Sequence, residues 1–269
     1  MTAYTRLRVE RRGAIAFCGF DNPPHGYMDN PTVQEIDAFT KEAESDVALR
    51  AIVFHGVMPG VFIQHYSVHE LEALSRRLRE QGVAVDTGRI VPERQLDGVF
   101  ARLATMPAVT IAAINGNAMG GGFEFCLSCD IRVGEDGPYS LGLPEVNIGI
   151  LPGAGGTQKL PRLIGTGRAL AMILLGRTIA PAEASRLGIL TELAPPGGAL
   201  DLATLLAERI ATQPARAIAH CKRLVRGAIE TPLSEGLGNE RTLFLDTLVS
   251  DEALARMSAM NAGERDIRD

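Results

Sequence analysis

Between Val109 and Gly156 the chain reads VTIAAINGNAMGGGFEFCLSCDIRVGEDGPYSLGLPEVNIGILPGAGG, and this stretch limits what the rest can be. The apolar run Val109–Ile114 has the length and bounds of a central strand. It breaks into the small-residue turn Asn115-Gly116-Asn117-Ala118-Met119, followed by Gly120, Gly121 and Gly122. The apolar segment after them carries Glu124. A helix that begins just behind a glycine turn presents free backbone N–H groups and a partial positive charge. Gly120 to Gly122 can therefore form one half of an oxyanion site, because residues without Cβ let a ligand carbonyl come close. Glu145 arrives from the next loop in Leu143-Pro144-Glu145, ahead of a second glycine cluster, Gly153-Ala154-Gly155-Gly156. Two carboxylates around one pocket can divide acid and base work between them.

Composition narrows the classes. The 269 residues are 46% hydrophobic and 22% charged, ordinary for a globular protein able to bury a large core. A formal net charge of -5 leaves no basic footprint for nucleic acid. No apolar run approaches the about 20 residues that span a bilayer. The polar start MTAYTRLRVERRG has no secretory pattern, so cytoplasmic residence is expected. Four cysteines are too few and scattered for a disulfide framework. Cys126 and Cys129 have redox-motif spacing but lie in an apolar helical segment, and are read as small core residues. His65 and His69 share a helix spacing without a further ligand, so no metal site is expected.

Along the chain, Leu7–Glu10 and Ala14–Phe20 read as paired strands, and Asn30 as the cap of a helix with Pro31 in its first turn. Strand, helix, strand continues through Arg50–Phe54, an alternation that favours an α/β protein with a mostly parallel sheet. Ser67 to Glu70 fits a capping box, with Gly82 ending that helix. Val83–Glu93 has no period and reads as a surface insertion or lid; Leu96–Ala104 is helical again. Pro195-Pro196-Gly197-Gly198 is the best boundary: residues 1–195 form a core with the active site, and 196–269 a helical assembly region.

The elements AAINGNAMGGGFEFCLSCDIRVG, LGLPEVNIGILPGAGGTQKLPRLIG and GRTIAPAEASRLGILTEL resemble the crotonase (enoyl-CoA hydratase/isomerase) superfamily. The resemblance runs from about Leu7 to the C-terminal helices. It implies the crotonase fold, a spiral of ββα units with a C-terminal helical trimerisation region, assembled as a homotrimer or homohexamer. It also implies a small-molecule acyl-CoA as partner, no nucleic acid or membrane, and no cofactor beyond the coenzyme A of the thioester substrate. Gly121 matches the glycine whose N–H binds the thioester carbonyl, and Tyr66, in VFIQHYS, the position giving the second N–H. Glu124 and Glu145 match the two catalytic glutamates of hydratases. Substrate contacts are implied for Phe62, Gln64, His65, Gly120, Leu143, Gly153 and Phe244. The activity implied is that of an enoyl-CoA hydratase-like lyase of fatty acid metabolism.

The chain departs from the family pattern in places. His65-Tyr66-Ser67 replaces a small Gly-Ala-Asp, and Leu143 a residue that is often polar in hydratases. The usual basic pair near the C-terminus gives way to Ala262-Gly263-Glu264, with Arg265 and Arg268 beyond it. Three other readings follow: a crotonase-fold hydrolase of a β-diketone or thioester in which His65 or a glutamate activates water, an enoyl-CoA isomerase, and a catalytically silent assembly subunit.

Overall fold

The computed structural model describes residues 4–268. β1 (Leu7–Arg12) and β2 (Ile15–Phe20) pair antiparallel around Gly13. β3 (Ala51–Gly56), β5 (Val109–Ile114), β7 (Ile131–Glu135) and β10 (Glu192–Ala194) extend the sheet in parallel, in the order β1-β2-β3-β5-β7-β10. A second sheet has the order β4-β6-β8-β9, from β4 (Gly60–Ile63), β6 (Gly116–Met119), β8 (Leu141–Gly142) and β9 (Thr178–Ile179). Each repeating unit runs one strand in the large sheet, turns into the small sheet, and then coils. The units are β3–β4–α2 (Val68–Glu80), β5–β6–α4 (Gly121–Ser128), and β7–β8 followed by a 3-10 turn, Glu145–Ile148. This is the spiral of ββα units that the resemblance implies.

The corners between the sheets explain a local surprise. Asn115 to Met119 reads as a turn, but only Asn115 turns; Gly116–Met119 is β6, held between β4 and β8. Its residues have little strand propensity, so pairing alone makes it a strand. A Cβ on Gly116 would stand 2.2 Å from the Gly60 carbonyl carbon, and one on Gly56 1.8 Å from the Val61 oxygen. Only glycine fits such an approach. The Asn115 amide locks the two corners together: Oδ1 accepts the Gly56 N–H and Nδ2 donates to the Gly56 carbonyl, both at 2.8 Å.

Two helix starts differ from the sequence expectation. α1 (Asn30–Ser45) is capped by Asp29, whose carboxylate accepts the Thr32 N–H at 2.9 Å, so Asn30 lies inside the helix. At α2 half of the expected capping box forms. Ser67 Oγ accepts the Glu70 N–H at 3.3 Å, while the Glu70 carboxylate turns outward to the Asn30 N–H of α1 at 3.0 and 3.1 Å.

One face of the large sheet packs α1, α3 (Gln95–Thr105) and α4 around the rings of Phe20, Phe54, Phe62 and Phe125. The other face is covered by α8 (Ala199–Ala211), whose Ala199, Ala203 and Ala207 let it lie close to Val53, Ile111 and Val133. By packing, α8 therefore belongs to the core, although it follows the Pro-Pro-Gly-Gly stretch. α5 (Gly156–Ile164), α6 (Thr166–Leu174) and α7 (Pro181–Arg186) lie between β8 and β10 in sequence. α9 (Ala215–Gly227), α10 (Leu233–Leu248) and α11 (Asp251–Asn261) bury no residue.

α9 is tied to the core by the packing of Ile218 and by a buried ionic cluster. Lys222 Nζ lies 2.7 Å from Asp130 Oδ2 and also donates to the Leu103 and Ala108 carbonyls. Arg226 meets Asp130 Oδ1 at 2.7 Å. The Lys222 side chain is 7% exposed, so removing its counter-charge leaves a buried ammonium. Asp130→Ala should cost about 3–5 kcal/mol of unfolding free energy, read from urea denaturation.

Candidate active site

Glu124 lies in the first turn of α4, a helix in which every residue is buried. At 2% exposure its carboxylate has lost nearly all of its water. The replacement comes from the second glycine cluster, where Ala154 N–H and Gly156 N–H both donate to Glu124 Oε1 at 2.8 Å. Gly156 opens α5, so this oxygen also sits at a helix N-terminus. Burial pushes the Glu124 carboxyl above the ordinary carboxylate range; the two amides and the charges of Lys159 and Arg94 oppose that shift.

Glu145 begins the 3-10 turn after β8 and faces the same space. Its Oε2 is buried without a hydrogen-bond partner among the described residues. Burial first, and the nearby Glu124 charge as well, raise its carboxyl to about 7. Gly120 takes φ 50 between them, and a Cβ there would stand 3.2 Å from Glu145 Oε1.

The backbones of Gly121 and Tyr66 line the same cavity as the two carboxylates. Gly121 is the first residue of α4, so its N–H precedes the helical hydrogen-bond ladder. At Tyr66 the groups on either side are engaged with Met28: His65 O accepts from Met28 N–H, and Ser67 N–H donates to Met28 O. The Tyr66 N–H therefore points away from that strand. A Cβ on Gly121 would stand 3.7 Å from Tyr66 N, which places the two backbones side by side.

These groups line a cavity of about 990 Å³ that also receives Leu71, Leu74 and Ile150. His65 and Gly153 stand on its wall with Gly120, Gly121, Tyr66, Glu124 and Glu145. The other substrate positions implied by the resemblance lie outside the lining. Phe62 is 1% exposed within the aromatic core, and Leu143 is fully buried behind Gly156. The Gln64 backbone is held between Gly26 and Met119, and Phe244 is exposed on α10.

Sequence reading missed two basic residues. Arg94 caps α3, is tied to Asp97 and the Gly153 carbonyl, and lines the cavity. Lys159 is drawn in beneath α4. The spacing of Lys159, one turn after Gly155-Gly156, was the available signal; Arg94 gave none, being one arginine at the end of an aperiodic insertion.

The unusual His-Tyr side chains are anchored. The Tyr66 hydroxyl donates toward Glu70 Oε2 at 2.9 Å and Asn30 Oδ1 at 3.1 Å; burial and the Glu70 carboxylate push its ionisation up. His65 Nδ1 meets the Tyr66 carbonyl at 2.7 Å, and its ring stacks on Tyr27 at 4.5 Å.

Among the described residues no group of three His, Cys, Asp or Glu side chains could hold a metal ion. Cys126 and Cys129 are wholly buried, and burial raises both thiols, Cys129 to about 12.

Residues 10–262 match the family described as enoyl-CoA hydratase/isomerase, and the chain belongs to that family. It is 39% identical over 257 residues to the probable enoyl-CoA hydratase echA8 of Mycobacterium bovis, covering 95% of each chain. It is 32% identical over 225 residues to the fatty acid oxidation complex subunit alpha of Vibrio vulnificus. That match takes in 82% of this chain and 30% of the larger relative. Among solved structures, an enoyl-CoA hydratase from Bacillus anthracis superposes with a TM-score of 0.86 at 26% identity, covering 96% of this chain and 97% of that one.

Cys18, Cys126 and Cys129 are buried and Cys221 is exposed. An aromatic disulfide reagent should therefore titrate one thiol per native chain and four after denaturation. Rapid native reaction of a second thiol would contradict the packing around α4.

Proposed function

We propose that the protein is an enoyl-CoA hydratase-like lyase, adding water across the double bond of an α,β-unsaturated acyl-CoA. The observation that carries this reading is the pairing of two carboxylates in unlike surroundings on one cavity beside two adjacent backbone N–H groups. The thioester carbonyl sits between the Tyr66 and Gly121 N–H groups, which stabilise the enolate oxygen as charge develops there. Glu124, supported by two amides and two cations, takes a proton from the water that attacks Cβ. Glu145, kept protonated by burial, delivers a proton to Cα as the enolate collapses. One C–O and one C–H bond form, and the π bond is consumed. Coenzyme A enters and leaves within the thioester, and no separate cofactor takes part.

The wider setting follows from the same reading. No helix among the described residues is long and apolar enough to cross a membrane, and the net charge of -5 gives no hold for nucleic acid. We place the enzyme in the cytoplasm, in fatty acid metabolism. Leu233, Phe244, Leu245 and Val249 are exposed on and just after α10, which supports assembly as a homotrimer or homohexamer. The hydrolase reading that uses His65 gains no support, because one ring nitrogen is tied to a carbonyl and the ring is stacked.

Glu124→Gln and Glu145→Gln should each lower kcat for crotonyl-CoA hydration by about 1,000-fold with the fold retained. Full activity in either variant would sink the assignment, and a double-bond shift without water addition would favour the isomerase.

The pH profile tests the division of labour. Glu145 must be protonated to act as the acid, and its carboxyl titrates at about 7, so kcat/KM should fall as pH rises through that value. Glu124 must be ionised, so its protonation sets the acid limb. A stopped or coupled hydration assay across pH 5 to 9 should give that bell.

A further inference from the structure

Behind Glu124 lies a cation that the reaction scheme leaves unused. Lys159 is on α5, one turn beyond the Gly156 amide that holds the carboxylate. Its ammonium is folded inward: Nζ donates to Ser128 Oγ at 2.6 Å and stands 5.0 Å from the centre of the Phe100 ring. Ser128 Oγ in turn donates to the Glu124 carbonyl at 2.7 Å, one helical turn back. The lysine thus bridges the start of α5 to the end of α4, the two elements that bring Glu124 and its amide donors together. The inward fold requires Gly155, which sits at φ 105; a Cβ there would stand 3.1 Å from both Cε and Nζ of Lys159.

An ammonium taken out of water needs compensation, and no carboxylate among the described residues forms a direct ion pair with it. The charges that act on it are Glu124 of α4, Asp97 of α3, and Arg226 of α9. Glu124 itself faces Lys159 from α5, Arg94 from the start of α3, and Glu145 from the 3-10 turn. Arg94 is already matched by a two-pronged contact to Asp97. Lys159 is therefore the net positive charge set against the catalytic carboxylate.

We propose that Lys159 is a positioning residue that holds Glu124 ionised and in register with the Ala154 and Gly156 amides. The proposal rests on the reading of Glu124 as the base. It goes beyond that reading by naming the group that keeps a buried base charged between turnovers. The lysine touches no substrate; it acts through Glu124.

The test is the pH profile of kcat/KM for crotonyl-CoA in the full-length protein, for wild type, Lys159→Met and Lys159→Arg. Removing the cation raises the pH at which Glu124 ionises. In Lys159→Met the acid limb should therefore move up by about one pH unit, with the alkaline limb in place. Lys159→Arg should return the acid limb toward wild type. A profile lowered uniformly, with both limbs unmoved, would make Lys159 a structural tie only and overturn the proposal. Lys159→Gln, which removes the charge and keeps an N–H donor on a side chain one atom shorter, answers the case in which the methionine variant does not fold. Carbon-13 NMR titration of glutamate-labelled protein, with Glu124 assigned by its loss in Glu124→Gln, reads the same shift without turnover. Wild type that folds but hydrates no enoyl-CoA would defeat the hydratase reading. The NMR titration would still decide the lysine's role.

Discussion

Burying Glu124 at 2% exposure sets the terms for what is packed around it, because a carboxylate stripped of water must find donors in the fold. α4 supplies no donor to that carboxylate, and its side chains are apolar apart from Glu124 and Ser128. The donors come from Ala154 and Gly156, thirty residues on, after the chain has built β7, β8 and the 3-10 turn. The second glycine cluster is therefore the other half of the first. Leu143, which the resemblance put on the substrate wall, has a packing role instead: it is wedged against Gly156 and keeps the amide end of α5 on the carboxylate.

The same burial that threatens Glu124 meets less compensation at Glu145. Both carboxyls are raised by desolvation, but one has two amide donors and two nearby cations, while the other has a buried oxygen with no hydrogen-bond partner among the described residues. Chemically identical side chains thus acquire different proton affinities from their surroundings, which lets neighbouring carboxyls serve as base and acid. Each ionised glutamate also raises the cost of ionising the other, so the pair favours one proton between them.

Much of this was legible in the sequence. The strands of the large sheet are apolar runs with clear bounds, and Glu124 and Glu145 stand out because each follows a backbone feature with an evident use. The small sheet was not legible: β6, β8 and β9 are two to four residues long, and β6 is made of glycine, asparagine, alanine and methionine. Such strands exist because Asn115 and the glycine corners force the chain across, which is a long-range constraint. α5 was overlooked for a related reason, since its glycine start and internal Pro161 hide a helix whose value lies in its first two amides. In the single chain Phe62 lies in the aromatic core and Phe244 on the surface of α10, both away from the cavity lining. A matched position fixes the backbone site, while neighbouring side chains decide whether the residue meets a cavity, a core or solvent.

The His-Tyr-Ser segment shows why such a site can change its side chains and keep its chemistry. The proposed reaction needs only the N–H at Tyr66, whose direction is set by the bridge to Met28 and not by the phenol. The freed side chain has been given mechanical work. α2 buries none of its residues, so apolar packing does little to hold it against the core. Its contacts with the start of α1 are polar: the Glu70 carboxylate takes the Asn30 N–H, and the Tyr66 hydroxyl joins Glu70 to the Asn30 side chain. Leu71 and Leu74 of α2 line the cavity, so this network sets the position of one apolar wall relative to the Tyr66 and Gly121 backbones. The residue whose backbone is proposed to serve the reaction thereby lends its side chain to the shape of the cavity.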